Sequence, residues 1–211
     1  MTHSIQALQI LIATRNQGKL REFENLLASL PVRLRSLAEF ADVAEALEPH
    51  NTFRENARAK ARFYAEQTQL IALADDSGLE VDALGGAPGV RSARYGSVKL
   101  TSEERIRLLL SELDKTGDTL RRARFVCAIA IAHPNSASIY ETIGICKGRI
   151  ARSMRGSRGF GYDPVFIPNG FTQTFAEMDA AGKDRISHRA QAMREALKLL
   201  TSMLITESNK S

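Results

Sequence analysis

Two adjacent aspartates, Asp75 and Asp76, carry the strongest chemical signal in this chain. They follow an apolar run at residues 70–74, which predicts a strand, and they precede Ser77 and Gly78. Because side chains alternate along a strand, one acid can face a cleft while the other anchors the turn. A carboxylate at a strand end can hold Mg²⁺, which prefers oxygen ligands, or take a proton from an attacking water. The structural alternative is an acidic Asx turn before Gly78.

A polar segment near the N-terminus has the composition of a phosphate site. It lies between a predicted strand at residues 8–13 and a predicted helix, and it reads Thr14, Arg15, Asn16, Gln17, Gly18 and Lys19. Backbone N–H donors, a helix N-terminus and a cation together suit a phosphate. The segment is not a P-loop, which needs a longer glycine-spaced loop ending in Gly-Lys-Ser/Thr. An ordinary polar turn with a solvated lysine is the alternative.

A second cation, Lys60, lies on a helix predicted to begin at Thr52. Thr52 and Glu55 form a capping-box pattern, so Glu55 has a structural role. At about 100° per residue, Asn56 and Lys60 fall at the edge of the apolar face made by Phe53, Ala57, Ala61 and Tyr64. A lysine turned toward packed structure needs an anionic partner, and a phosphate would serve. A snorkelling lysine is the alternative.

Two C-terminal segments have the residue types of a nucleobase site. The first runs from Gly159 to Pro164 as Gly-Phe-Gly-Tyr-Asp-Pro, and the second contains Lys183, Ser187, His188 and Arg189. Glycines allow close backbone approach, and an aromatic ring beside them can stack on a base. His188 and Arg189 can hydrogen-bond to base carbonyls. The alternatives are a glycine-rich hairpin loop and a polar helix start with Ser187 as N-cap. A serine hydrolase is disfavoured because no Gly-x-Ser-x-Gly elbow is present.

The elements that must position these segments alternate between strand and helix patterns. Helices are predicted after residue 19, from residue 52, over residues 102–113 with a Ser-x-x-Glu-type start, and over residues 187–203. An alternating run covers residues 79–84, a hairpin joins strands at 123–132 and 138–151 through a Pro-Asn turn, and a short strand is expected at 164–167. The pattern predicts an α/β fold with a mixed sheet, and with no repeat or linker it predicts one domain over residues 1–211.

The composition of the chain limits the classes of partner that it is expected to bind. The 211 residues carry a net charge of +5, which favours anionic partners. The positive charge is spread along the chain without an RNA-binding signature, so we expect no stable nucleic-acid partner. No apolar run approaches the roughly 18–20 residues that span a bilayer, so no membrane association is expected. The apolar run at residues 7–13 is a strand rather than a signal peptide, and Cys127 and Cys146 are expected as reduced core thiols; both points favour a cytoplasmic location.

Taken in order, the segments resemble the inosine triphosphate pyrophosphatase family (dITP/XTP pyrophosphatases). The matching strings are TRNQGK, TFRENARAKA, ADDSGLEVDALGGAPGVRSARY, GFGYDPVF, TFAEM and ISHR, spread over residues 14–189. The resemblance implies an elongated mixed central sheet flanked by helices, with two lobes, a substrate cleft between them and a homodimer. It also implies Mg²⁺-dependent hydrolysis of ITP, dITP and XTP to the monophosphate and pyrophosphate, which removes deaminated purines from the nucleotide pool.

The resemblance also assigns roles by position. Asp76 is the implied general base and a magnesium ligand, with Asp75 beside it, and Ser77 contacts substrate. The triphosphate is held by residues 14–19 and Lys60. The implied nucleobase pocket comprises Phe160, Gly161, Tyr162, Asp163, Lys183, His188 and Arg189.

One departure concerns the second metal ligand. Relatives carry adjacent acids shortly before the TF-x-EN string, whereas this chain has Glu45 and Glu48 separated by two residues. Glu48 is assigned as the ligand from its distance to Thr52, and Glu45 is the alternative.

Base selection is expected at the purine 6-position. A donor such as Arg189 or His188 favours a 6-carbonyl and leaves the amine of adenine unpaired. Guanine must then be excluded through its 2-amino group. Two other readings stay open: a pyrophosphatase of the same fold acting on dTTP, UTP or methylated nucleotides, and a non-catalytic nucleotide- or RNA-binding module with salt-sensitive binding.

Overall fold

The computed structural model describes residues 8–208, with side chains described through residue 202. Its sheet has six strands in the order β2-β1-β3-β4-β5-β6. The strands are β1 Leu8–Ile12, β2 Val32–Ser36, β3 Ile71–Val81, β4 Arg122–Ala132, β5 Ile139–Ile150 and β6 Phe166–Pro168. The helices are α1 Gln17–Leu27, α2 Phe53–Thr68, α3 Ser102–Lys115, α4 Ala180–Ile186 and α5 His188–Ser208.

The sheet is mixed, as the sequence predicts. Strand β1 pairs in parallel with both β2 and β3, whereas β5 and β6 are antiparallel. Strands β4 and β5 are neighbours joined by residues 133–138, as the predicted hairpin requires. Ile10, Leu11 and Ile12 have no exposed surface, which explains why β1 ends in three consecutive apolar residues rather than in an alternating pattern.

Strand β3 corrects one prediction. Sequence analysis places the strand end at residue 74 and a turn at Asp75–Gly78, but β3 runs without interruption from Ile71 to Val81. The Asx-turn alternative is therefore wrong, because pairing within the sheet overrides the turn preference of Asp-Ser-Gly. Gly78 serves close packing instead, since a Cβ there would lie 2.4 Å from Ser92 Oγ and 2.5 Å from the Gly89 carbonyl oxygen.

Helix caps agree with the sequence at two of three positions. The Thr52 hydroxyl accepts from the Glu55 amide at 3.2 Å and donates to the Glu55 carboxylate at 2.7 Å, so Glu55 has its predicted capping role. At α5, Ser187 Oγ accepts from the amide of Ala190 at 3.1 Å. At α3 the cap is Thr101, with a reciprocal capping box to Glu104, and not the predicted Ser102.

Two elements and one boundary were not predicted. Strand β2 lies at the sheet edge with an irregular burial pattern, and the short helix α4 precedes α5 with only Ser187 between them. Strand β6 is found two residues later than the predicted start at 164, because residues Asp163–Val165 form a 3-10 turn. Helix α4 and the start of β6 have no hydrophobic period long enough to reveal them, whereas β2 has a short apolar–polar alternation, Val32-Arg33-Leu34-Arg35, that is typical of a half-buried strand.

The chain divides into two compact units, in keeping with the expected two lobes. Of the described residues, the first unit comprises 8–75, Ala128–Thr142 and 192–208, and the second comprises Asp76–Cys127 and Ile143–Gln191. Strand β3 passes from one to the other between Asp75 and Asp76. Within the second unit, α3 contributes Ile106, Leu109 and Leu113 to a core that also contains Phe125, Tyr162, Phe166 and Phe175.

Both cysteines are buried, as expected for core thiols. Burial raises the pKa of the Cys146 thiol to about 11. Among the described residues, none of the helices combines the length and the apolar character needed to cross a bilayer.

Candidate active site

The segment at residues 14–19 forms the capped N-terminus of α1. Asn16 Oδ1 accepts from the amides of Gly18 at 2.9 Å and Lys19 at 3.1 Å, and Thr14 Oγ1 accepts from the Asn16 amide at 3.2 Å. Arg15 is turned toward the carbonyl of Val43, 3.0 Å away. The Asn16 side chain thus occupies two of the donors that a phosphate would use, while the positive end of the helix dipole remains at this loop.

Lys19 is paired with the first of the two adjacent acids. Its Nζ lies 2.8 Å from Asp75 Oδ2, and the Asp75 side chain has no exposed surface while that of Lys19 is 16% exposed. A buried carboxylate needs such a partner, since an uncompensated charge costs several kcal/mol to bury. The pair therefore fixes the end of the phosphate-type loop against β3. The partner of Lys19 could not be read from the sequence.

Lys60 is buried and paired with Glu48. Its Nζ donates to Glu48 Oε1 at 2.7 Å. Asn56, one turn earlier on α2, hydrogen-bonds to the backbone of His50, which precedes the helix. Its Oδ1 accepts from the His50 amide at 3.0 Å, and its Nδ2 donates to the His50 carbonyl at 3.2 Å. The Lys60 ammonium group thus lies against a carboxylate rather than in solvent. The helical spacing predicts Asn56 at the edge of the apolar face but indicates no role for it.

In the second unit, Arg189 reaches back to Ser77 on β3. Arg189 is 2% exposed, and its Nη2 donates to Ser77 Oγ at 3.0 Å. The same guanidinium carbon lies 5.6 Å from the centre of the Phe160 ring, within cation–π range. Ser77 and Phe160, from two separate predicted segments, therefore both contact Arg189, which comes from a third.

Asp163 organises the glycine-rich loop. Its Oδ2 accepts from the Phe160 amide at 2.9 Å and from Lys183 Nζ at 2.6 Å. Lys183 Nζ is also 4.9 Å from the centre of the Phe160 ring. Gly159 has a positive φ of 75°, and a Cβ there would lie 2.1 Å from Asp163 Oδ2, so glycine is required on both counts. The Asp163–Lys183 ion pair is thus what holds the Phe160 ring in place.

The other two ring side chains of this region are buried. His188 is 4% exposed and stacks on Phe125, with 4.6 Å between ring centres and a 10° interplanar angle. The Tyr162 hydroxyl donates to the Ser92 carbonyl at 3.0 Å, and burial raises the pKa of Tyr162. Phe160 is half-buried, so it presents more ring surface than Tyr162 does. Phe125 is not singled out by the sequence, and Ser92 lies in a matched string without an assigned role, because only tertiary packing brings the two residues to this loop.

Burial of charge marks these segments in both units. Among the described residues, every buried charged or histidine side chain except Arg121 belongs to a segment singled out from the sequence: Lys60, Asp75, Asp76, Asp163, Lys183, His188 and Arg189. Such side chains are seldom buried, and they concentrate at functional sites.

The carboxylates present fit a magnesium ion. Glu48 and Asp76 offer the hard oxygen donors that Mg²⁺ prefers. In residues 8–202, no group of three or more His, Cys, Asp or Glu side chains is arranged to hold a metal by itself. Mg²⁺ is commonly held by one or two carboxylates, with substrate phosphates and waters completing its shell. Glu48 is half-buried beside Lys60, whereas Glu45 is exposed, which favours Glu48 of the two acids.

The mixed sheet and these buried charged clusters define an α/β protein with an enzyme-like polar site. A sequence model of the Ham1 family matches residues 10–199. The chain belongs to the Ham1 family.

Individual proteins agree with that assignment. The dITP/XTP pyrophosphatase of Desulforamulus reducens is 44% identical over 198 residues, covering 94% of this chain and 98% of that protein. The structure of a HAM1 protein from Coxiella burnetii superposes with a TM-score of 0.85 at 43% identity, covering 92% of this chain and 99% of that one. The Ham1 protein of Staphylococcus aureus gives a TM-score of 0.79 at 37% identity, covering 94% and 99% respectively.

Proposed function

We propose that this chain is a nucleoside triphosphate pyrophosphatase that converts ITP, dITP and XTP to the monophosphate and pyrophosphate. The reaction would remove deaminated purines before a polymerase incorporates them. The Desulforamulus relative is named a dITP/XTP pyrophosphatase and matches nearly end to end. The observation that carries the proposal is the concentration of buried charge on the segments that the sequence assigned to phosphate, catalysis and base.

Residues 14–19 and Lys60 are the proposed groups for the phosphate end. A nucleoside triphosphate carries about four negative charges, so its binding requires cations and oriented dipoles. Lys19 and Lys60 are the proposed cations. The loop from Thr14 to Asn16 and the first turn of α1 are proposed to face the phosphates with the positive end of the helix dipole. Both lysines rest on carboxylates, Asp75 and Glu48. Those carboxylates hold the lysine side chains in place before substrate arrives, which lowers the entropic cost of binding.

Asp76 is the proposed general base. It is 5% exposed and sits mid-strand on β3, where ladder hydrogen bonds restrict its backbone. Its carboxylate would take the proton from a water that attacks the α-phosphorus. The bond from that phosphorus to the bridging oxygen then breaks, and pyrophosphate leaves with the electron pair. Glu48 and Asp76 would hold the Mg²⁺, which when bound neutralises charge on the phosphate oxygens.

The base end is proposed to be bound by a separate group of residues. The proposed pocket comprises Ser77, Phe160, Gly161, Tyr162, Asp163, Lys183, His188 and Arg189. Phe160 would stack on the purine, and Arg189 or His188 would donate to the 6-carbonyl of hypoxanthine or xanthine. Adenine presents an amine donor there, so it would leave the protein donor unpaired and be rejected.

The wider setting is also proposed. We infer a homodimer and a cytoplasmic location, where the nucleotide pool is found. Sedimentation velocity over a range of concentrations tests the dimer directly.

A substrate panel tests the function. Pyrophosphate release would be measured for ITP, dITP and XTP against GTP, ATP, dTTP and UTP, each with Mg²⁺ and with EDTA. We expect the three deaminated purines to be preferred by at least tenfold in kcat/KM, and EDTA to abolish release. Preference for dTTP or UTP would move the chain to the pyrimidine alternative. Salt-sensitive RNA binding without hydrolysis would replace the enzyme with a binding module.

A further inference from the structure

We propose that Ser92 and Tyr162 are positioning residues that set the spacing of the base end of the proposed site. The inference rests on the proposed function, and it gives a positioning role to two residues: Tyr162, which also belongs to the proposed base pocket, and Ser92, which lies in a matched sequence string without an assigned role. Its basis is a closed ring of contacts inside the second unit.

The first contact joins Ser92 to strand β3. Ser92 is 8% exposed, and its Oγ accepts from the amide of Leu79 at 2.8 Å and donates to the Gly89 carbonyl at 2.7 Å. Any side chain at Gly78 would collide with that hydroxyl. The 3-10 segment Gly89–Arg94 is therefore pressed against β3 immediately after Ser77.

The second contact joins Ser92 to the glycine-rich loop. The Tyr162 hydroxyl donates to the Ser92 carbonyl at 3.0 Å, and the ring is 5% exposed in the core of the second unit. A buried tyrosine hydroxyl and a buried carbonyl both need a partner, so this bond ties the loop to the 3-10 segment.

The remaining contacts close the ring. Tyr162 adjoins Asp163, whose carboxylate holds the Phe160 amide. The Phe160 ring lies 5.6 Å from the Arg189 guanidinium carbon, and Arg189 donates to Ser77 on β3. The path thus runs from Leu79 on β3 through Ser92, Tyr162, the adjoining Asp163 and Phe160 to Arg189, and it returns to β3 at Ser77, two residues before Leu79.

This ring determines how far the stacking surface of Phe160 lies from the donors of Arg189. A purine must contact both at once, and a displacement of about 1 Å can cost a large factor in rate or binding. Asp76 is held by the β3 ladder instead, so its proton transfer does not depend on the Tyr162 bond. Loosening the ring should therefore raise KM and weaken base discrimination more than it lowers kcat.

The test compares Tyr162→Phe with Tyr95→Phe. Both variants remove one hydroxyl of a tyrosine in the same unit, but the Tyr95 hydroxyl donates to Glu112 and takes no part in the ring. For Tyr162→Phe we expect KM for ITP to rise about fivefold to tenfold, because the variant loses one buried hydrogen bond. The preference for ITP over GTP should fall by a similar factor, with kcat within about twofold. Tyr95→Phe should keep the wild-type KM and preference.

Melting temperatures separate positioning from general loosening. If both variants lose stability but Tyr162→Phe alone changes KM and base preference, the ring is supported. Unchanged KM and preference in Tyr162→Phe, or equal changes in the two variants, would overturn it. Wild-type protein serves as the reference: if it releases no pyrophosphate from ITP, the proposed function fails before the variants are compared.

Discussion

At the residue scale, the three lysines of the candidate site each form an ion pair with a carboxylate. Lys19 with Asp75, Lys60 with Glu48, and Lys183 with Asp163 each place a lysine ammonium within 2.8 Å of a carboxylate. Each pair offsets the cost of taking a lysine wholly or partly out of water. The pairs restrict the lysine side chains, so in the proposed function an incoming anion would meet cations that are already oriented.

Asp76→Asn tests the catalytic assignment. The amide keeps the size of the side chain but cannot accept a proton from water, so we expect kcat for ITP to fall by at least about 10²-fold. Binding of ITP, measured by calorimetry in the presence of Mg²⁺, should weaken far less than turnover. Asp82→Asn is the matched control, because Asp82 is an exposed acid just after β3 and should leave kcat unchanged. A wild-type kcat in Asp76→Asn would contradict the assignment of Asp76 as the general base.

At the element scale, local sequence and tertiary pairing decide different features. Helix α3 begins where its cap dictates: the Thr101 hydroxyl accepts from the Glu104 amide at 3.2 Å, and a Glu104 oxygen accepts from the Thr101 amide at 2.8 Å. Hydrogen bonds from Thr101 lower the pKa of Glu104 accordingly. Strand β3 is the opposite case, since its Asp-Ser-Gly sequence favours a turn and the sheet makes it a strand.

Thr101→Ala tests the start of α3. Loss of the cap should lower the free energy of unfolding by about 1 kcal/mol. Ser102→Ala is the control, because Ser102 is the first helical residue and not the cap. Urea denaturation followed by circular dichroism gives both values. A larger loss in the control than in Thr101→Ala would restore the cap to Ser102, where the sequence alone places it.

At the scale of the whole molecule, several buried groups favour their protonated forms. Burial and a hydrogen bond to Glu112 raise the pKa of Tyr95 to about 12, and burial raises the pKa of Cys146 to about 11. Burial also raises the pKa of Tyr162. All three groups are weak acids, and the folded protein favours their neutral forms. They therefore affect the free energy of unfolding at alkaline pH.

The stability should therefore decline at high pH. In the unfolded chain a thiol ionises near pH 8.5 and a tyrosine near pH 10, so above about pH 9 the folded protein binds more protons than the unfolded one. Stability from these groups is complete below the unfolded pKa values and is lost as pH rises through the folded ones. Urea denaturation from pH 8 to 11 should show the decline. The double variant of Tyr95→Phe and Tyr162→Phe should show a shallower one, and an identical slope would contradict this account.

Much of the fold follows from the sequence because its signals are local. Capping residues at Thr52 and Ser187 set helix starts, and the long apolar patterns of β1, β4 and β5 predict strands of nearly the observed extent. The α/β class and the mixed sheet follow from the alternation of those patterns. The order of the motifs along the chain also indicates the family, because that order is a property of the sequence and can be recognised without the three-dimensional structure.

Tertiary structure decided the rest, because those features depend on contacts between distant residues. The continuity of β3 and the short helix α4 have no periodic signal of their own, and the alternation in the edge strand β2 covers only a few residues. The distant partners in the candidate site have no local signal either: nothing local pairs Lys19 with Asp75, or Arg189 with Ser77 across 112 positions. Sequence determined which side chains carry charge, and only folding determined which of them would lose their water and need one another.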